Sequence, residues 1–114
     1  MIFIVGGASS GKTAYAATHY NTGYKVIDNY KDWIKNQMEQ GRNPIAEAEA
    51  LVSHVDAADK LVIIGTEMGL GVVPMEEKER KYREMNGRVN CLLAAHADTV
   101  IRMICGVPQT IKQE

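Results

Sequence analysis

The stretch Gly6-Gly7-Ala8-Ser9-Ser10-Gly11-Lys12-Thr13 follows directly on the apolar run Ile2-Phe3-Ile4-Val5. These residue types suit an anion. Successive backbone N–H groups in such a loop turn inward onto phosphate oxygens, and glycines at 6, 7 and 11 admit the sharp conformations and close approach this needs. Lys12 would then set its ammonium on β- and γ-phosphates, and the Thr13 hydroxyl would ligate magnesium. Gly6, Gly11, Lys12 and Thr13 satisfy G-x-x-x-x-G-K-[ST], a pattern short enough to occur by chance. Context separates it from an ordinary Gly/Ser turn: a strand-like run precedes it and the helical Ala14-Tyr15-Ala16-Ala17 follows. Gly6, Gly7, Ala8, Ser9, Ser10, Gly11, Lys12 and Thr13 are therefore the expected contacts of a nucleotide triphosphate, ATP or GTP with Mg2+. No base-reading motif chooses between the two.

Magnesium needs further oxygen ligands, which acids at neighbouring strand ends supply in P-loop proteins. Asp28 ends the run Lys25-Val26-Ile27 and is the candidate, with an Asx turn or a helix cap as its alternative. Glu67 follows Leu61-Val62-Ile63-Ile64 in the glycine-rich Gly65-Thr66-Glu67-Met68-Gly69-Leu70-Gly71. It could accept a proton from an attacking hydroxyl or orient a magnesium-bound water, and a solvated loop acid is the equal alternative.

The elements that must position these groups are legible as four apolar runs: Ile2 to Val5, Val26-Ile27, Leu61 to Ile64, and Val100 to Ile104. Helix-period segments separate them, which predicts an α/β domain with a small, mainly parallel sheet flanked by helices, a three-layer arrangement like that of P-loop NTPases. In the third helical segment Asn43 is the expected cap and Pro44 the first helical residue, with Ile45, Ala48, Val52 and Val55 on the core face. The fourth, from about Met75 to Ala97, places Tyr82, Met85, Val89, Leu92 and His96 on one stripe. Its outer face pairs Glu76 with Arg80, Glu77 with Lys81, Glu79 with Arg83 and Glu84 with Arg88. Gly87 interrupts that helix at a cost of about 1 kcal/mol, predicting close packing or a bend.

Composition narrows the function classes. A chain of 114 residues fits one domain, 1–114. The net charge of −1 marks no nucleic-acid surface. No apolar run approaches the roughly 20 residues that span a bilayer. Met1 leads straight into a strand without a basic leader, which reads as cytoplasmic. Cys91 and Cys105 lack a C-x-x-C partner and are expected to be buried thiols.

With the loop, Asp28 and Glu67 in place, the chain resembles the adenosylcobinamide kinase/adenosylcobinamide-phosphate guanylyltransferase family of cobalamin biosynthesis. Three blocks carry the likeness: the loop GGASSGKT; VIDNYKDWIKN with Asp28, Trp33 and Asn36; and GTEMGLGVVP with the downstream Arg80, Arg83, Gly87-Arg88-Val89-Asn90, the Ala94 to Asp98 stretch and Gly106-Val107-Pro108. In the second block Lys31 stands where the family carries threonine.

The resemblance implies phosphoryl transfer from Mg-NTP to a hydroxyl acceptor, adenosylcobinamide, by a homo-oligomer, most simply a trimer. A nucleotide-binding module without transferase activity is the alternative. By the resemblance, an arginine among Arg80, Arg83 and Arg88 could reach phosphates of the same or a neighbouring subunit, with pairs to their i−4 glutamates as the other reading for all three; Arg88 is preferred because it sits beside Gly87. Family members are longer, and the part absent here lies between the first helix and the VID strand. There the family carries its guanylylated histidine. His19 sits near the end of the first helix, while His54 and His96 are expected on apolar stripes held against the sheet. None is followed by Arg-Pro, so guanylyltransferase activity is not expected.

Overall fold

The computed structural model describes residues 1–56, 58–67 and 76–113. The rest of the glycine-rich stretch after Glu67, residues 68–74, and Met75, where the fourth helix was expected to begin, lie outside them. The elements in chain order are β1 (Ile2–Gly6), α1 (Lys12–His19), β2 (Lys25–Ile27), α2 (Tyr30–Glu39), α3 (Pro44–Val52), β3 (Leu61–Thr66), α4 (Glu77–His96), β4 (Thr99–Ile104) and β5 (Val107–Gln113). They build one sheet in the order β2-β3-β1-β4-β5. β1 pairs in parallel with β3 and β4, β2 in parallel with β3, and β5 antiparallel with β4.

Central β1 and β3 are covered on both faces, which is why they read as unbroken apolar runs rather than alternating ones. Phe3, Val5, Ile63 and Val100 face α2, α3 and α4, where Tyr30, Ile34, Ala48, Val52, Val89 and Leu93 complete the larger core. Ile4, Val62, Ile64, Ile101 and Met103 face the other way, onto Ala16 of α1. The result is the three-layer α/β arrangement of P-loop NTPases. Among the described residues no helix is long and apolar enough to cross a membrane.

The Asn43 cap forms as expected, its Oδ1 accepting from Ile45 N at 3.0 Å with Pro44 as the first helical residue. Two of the four ion pairs expected on α4 close, Glu77–Lys81 at 3.3 Å and Glu84–Arg88 at 2.6 Å.

Four side-chain expectations fail. On α4 the buried positions are Tyr82, Asn86, Val89 and Leu93, so the stripe is rotated from the apolar one and His96 is exposed. His54 lies beyond the end of α3, also exposed. Cys91 and Cys105 are exposed rather than buried, the first on the outside of α4 and the second in the β4–β5 turn. The close packing expected at Gly87 is not seen: among the described residues a Cβ there would meet no atom within 4 Å outside its own helical turns. β5 was not anticipated. Its polar residues and Pro108 hide an exposed edge strand, where proline costs no ladder bond if its nitrogen faces outward.

Candidate functional site

The parallel strands end together, pairing Gly6 with both Thr66 and Met103 at one edge of the sheet. The Gly6–Thr13 loop leaves from this edge. At Gly6 a Cβ would stand 2.5 Å from Met103 O and 2.7 Å from Ser10 Oγ, so no side chain fits. Gly11, at φ 90°, adopts the left-handed conformation that turns the chain into α1. The other side of the loop rests on the β4–β5 turn, where Gly106 N donates to Ser10 O at 3.0 Å. Ser9 to Ala14 line a hollow of about 320 Å3. Among the described residues no side chain caps α1, so its first N–H groups are available to a ligand's acceptors.

Lys12 is buried, not exposed as a loop lysine would be. Its Nζ folds back onto the loop and donates to Gly7 O at 2.6 Å and Gly6 O at 3.2 Å. Burial lowers its pKa, the nearby Lys31 lowers it further, and Asp28 and Glu67 oppose both. Lys31, the residue at the threonine position, thus adds a second positive charge beside the loop.

Thr13 and Asp28 come together: Thr13 Oγ1 donates to Asp28 Oδ2 at 3.0 Å. The other carboxylate oxygen accepts from Asn29 N at 2.7 Å, fixing its orientation. A hydroxyl and a carboxylate on an exposed edge are hard oxygen donors, the set that suits Mg2+ with phosphate and water completing its shell.

Glu67 follows β3 and is held from three directions. Its backbone N–H donates to Gly6 O at 2.8 Å. The Thr66 carbonyl before it accepts from Asn86 Nδ2 at 2.9 Å and Asn90 Nδ2 at 3.0 Å. Its carboxylate accepts from Arg102 Nε at 3.1 Å, so it is a paired acid at a part-exposed position. Arg88 instead lies on the exposed face of α4, where it is bound to Glu84 and not to the loop.

Asn86, Arg102 and the Gly106 turn were not singled out as site residues from sequence. The signal for Asn86 was a polar residue at a core-facing helical position. For Arg102 it was a lone charge in the apolar run Val100 to Ile104.

The family described as cobinamide kinase / cobinamide phosphate guanyltransferase matches residues 18–111. The Gly6–Thr13 loop precedes that match, so the loop rests on its own geometry. Three curated relatives agree. The bifunctional adenosylcobalamin biosynthesis protein CobU of Escherichia coli (strain K12) is 35% identical over 82 residues, 71% of this chain and 44% of that protein. The protein of the same name from Salmonella typhimurium is 42% identical over 53 residues, 46% of this chain and 29% of that one. The bifunctional adenosylcobalamin biosynthesis protein CobP of Pseudomonas aeruginosa is 26% identical over 92 residues, 78% of this chain and 53% of its own length. The chain thus spans about half or less of the relatives it matches. With most of its length inside the family match, this chain belongs to the cobinamide kinase / cobinamide phosphate guanyltransferase family.

Proposed function

We propose that the chain binds a magnesium nucleoside triphosphate on Gly6 to Thr13 and transfers its γ-phosphoryl group to a hydroxyl acceptor, cobinamide or its adenosyl form. One observation carries this reading: a loop with no room for a side chain at Gly6 feeds a helix whose first two residues are a buried lysine and a threonine bonded to a strand-end carboxylate.

Backbone N–H groups of the loop and Lys12 bind the β- and γ-phosphates. Lys12 exchanges its two loop carbonyls for phosphate oxygens as they enter. Thr13 and Asp28 are the residues that would hold Mg2+, which when bound neutralises phosphate charge. Glu67 accepts the proton of the acceptor hydroxyl. Arg88, exposed on α4, is suited to phosphates presented by a neighbouring subunit of a homotrimer, and we place the protein in the cytoplasm. Guanylyl transfer is not part of the proposal, because no histidine stands at the loop.

Turnover decides it. The purified chain should convert ATP or GTP to the diphosphate faster when cobinamide is added, yielding cobinamide phosphate by mass spectrometry. Nucleotide binding without acceptor-dependent turnover would leave only a binding module.

A further inference from the structure

Arg102 is a charged residue in a strand whose neighbours Val100, Ile101 and Met103 are buried. It pairs in register with Val5, immediately before the loop. It shares a hollow of about 290 Å3 with Gly7, Ser10, Glu67, Ile104 and Cys105. Only Nε is engaged, by Glu67, and among the described residues no hydrogen bond takes the two terminal nitrogens. The side chains of Arg102 and Glu67 are 37% and 29% exposed, so the pair faces the hollow and is not sealed in the core.

An arginine is always charged and offers donors in a planar fork. Anchoring Nε on Glu67 fixes that plane and reserves the remaining donors for an incoming anion. Gly7 to Ser10 of the loop line the same hollow, and that loop is where the proposed function puts the phosphates.

We propose that Arg102 is a catalytic residue that contacts the transferred phosphoryl group through its terminal nitrogens, its guanidinium plane held in place by Glu67. This rests on the phosphoryl-transfer reading above. In the step, the acceptor hydroxyl oxygen forms a bond to the γ-phosphorus as the β–γ bridging P–O bond breaks. The hydroxyl proton passes to the Glu67 carboxylate and the nucleoside diphosphate leaves. With Nε still on Glu67 Oε2, the terminal guanidinium nitrogens donate to the phosphoryl oxygens as negative charge gathers on them, and the proton is taken by the other carboxylate oxygen.

The test is calorimetry on the full chain with MgADP and MgGDP, each with and without aluminium fluoride, which mimics the phosphoryl in transfer. Wild type should bind the diphosphate with aluminium fluoride at least about 100-fold more tightly than the diphosphate alone. Arg102→Leu should lose that gain while its diphosphate affinity changes less than about threefold, and acceptor-dependent kcat should fall about 1,000-fold. Arg102→Lys keeps the charge without the fork, guards against a folding defect in the leucine variant, and should retain part of the gain.

The proposal is overturned if both variants keep the full gain, if they lose diphosphate affinity in equal measure, or if wild type gains nothing from aluminium fluoride. A wild-type chain that binds neither diphosphate sinks the nucleotide reading itself, a result distinct from all of these.

Discussion

The Thr13 hydroxyl donates to Asp28 Oδ2 at 3.0 Å, joining the first turn of α1 to the end of β2 across 15 residues of chain. The bond shows that β2, although an exposed three-residue edge strand, brings a carboxylate to the loop. If the pair holds magnesium, Asp28→Asn should raise the Mg2+ concentration needed for half-maximal nucleotide binding about 10- to 100-fold. Metal-free nucleotide should bind unchanged or slightly better, since a negative charge has gone. Titrations at several Mg2+ concentrations measure both, and an unaltered Mg2+ dependence would remove Asp28 from the site.

Lys12→Met keeps most of the buried stem and deletes the charge. Two charge-assisted hydrogen bonds to phosphate are worth about 3 kcal/mol or more together, so affinity for the triphosphate should fall at least about 100-fold. The empty protein should change stability by less than about 1 kcal/mol, because losing two bonds to loop carbonyls is offset by relief of a buried charge. Calorimetry and urea unfolding give the two numbers. Equal affinity in variant and wild type would mean that the loop does not hold phosphates.

Tyr82 gives a pH test of how α4 docks on α2. Its hydroxyl donates to Lys31 O at 2.7 Å, and burial, reinforced by Asp32 and Glu79, pushes its pKa up to about 12. An unfolded tyrosine ionises near pH 10. The folded state therefore holds the proton more tightly, and the tyrosine's contribution is intact below pH 10 and lost as pH climbs from 10 to 12. Tyr82→Phe should cost about 1 kcal/mol at neutral pH, and its deficit relative to wild type should shrink over that window. Urea unfolding of both proteins from pH 8 to 12 follows the gap. Burial also raises the Tyr30 hydroxyl, but equally in the two proteins.

No covalent guanylyl-enzyme should form with GTP and Mg2+. Such an adduct needs a histidine in line with the α-phosphate and oriented by a partner. His54 and His96 are exposed and remote in sequence from the loop. His19 ends α1, about 10 Å along the helix from Lys12 at 1.5 Å per residue. There its ring stacks on Tyr15 with centroids 4.1 Å apart, and Nδ1 lies 3.1 Å from Tyr15 O. Intact-mass spectrometry after incubation should show the unmodified chain, and a stable guanylate adduct on histidine would restore the bifunctional assignment.

The parts of the site legible in sequence were those fixed by backbone demands. Gly6 is glycine because a Cβ has no room there and Gly11 because its φ is left-handed, and Asp28 and Glu67 stand where apolar runs stop. What stayed hidden was pairing between distant elements. Arg102 meets Glu67 only because β4 lies beside β1, and Asn86 occupies a core position because it satisfies the Thr66 carbonyl. An apolar-stripe reading passes over an asparagine with that task, and so rotates α4 and buries a histidine, His96, that is exposed. β5 was hidden because an exposed edge strand needs no apolar face.

The position of β1 at the centre of the sheet has a consequence for synthesis. Ile2 finds its neighbours at Val62 and Thr99, so β1 leaves the ribosome well before either strand it pairs with. At about 5–20 residues per second, at least about 3–12 s pass before β3 is translated, and longer before β4. Throughout that interval Ile2-Phe3-Ile4-Val5 is an apolar segment with two open edges, the kind of surface that mispairs between nascent chains. The phosphate loop cannot take shape earlier, since Gly6 is held by Glu67 and faced by Met103. Nascent-chain aggregation, and any dependence on chaperones, should therefore track the delay in reaching β3 and β4.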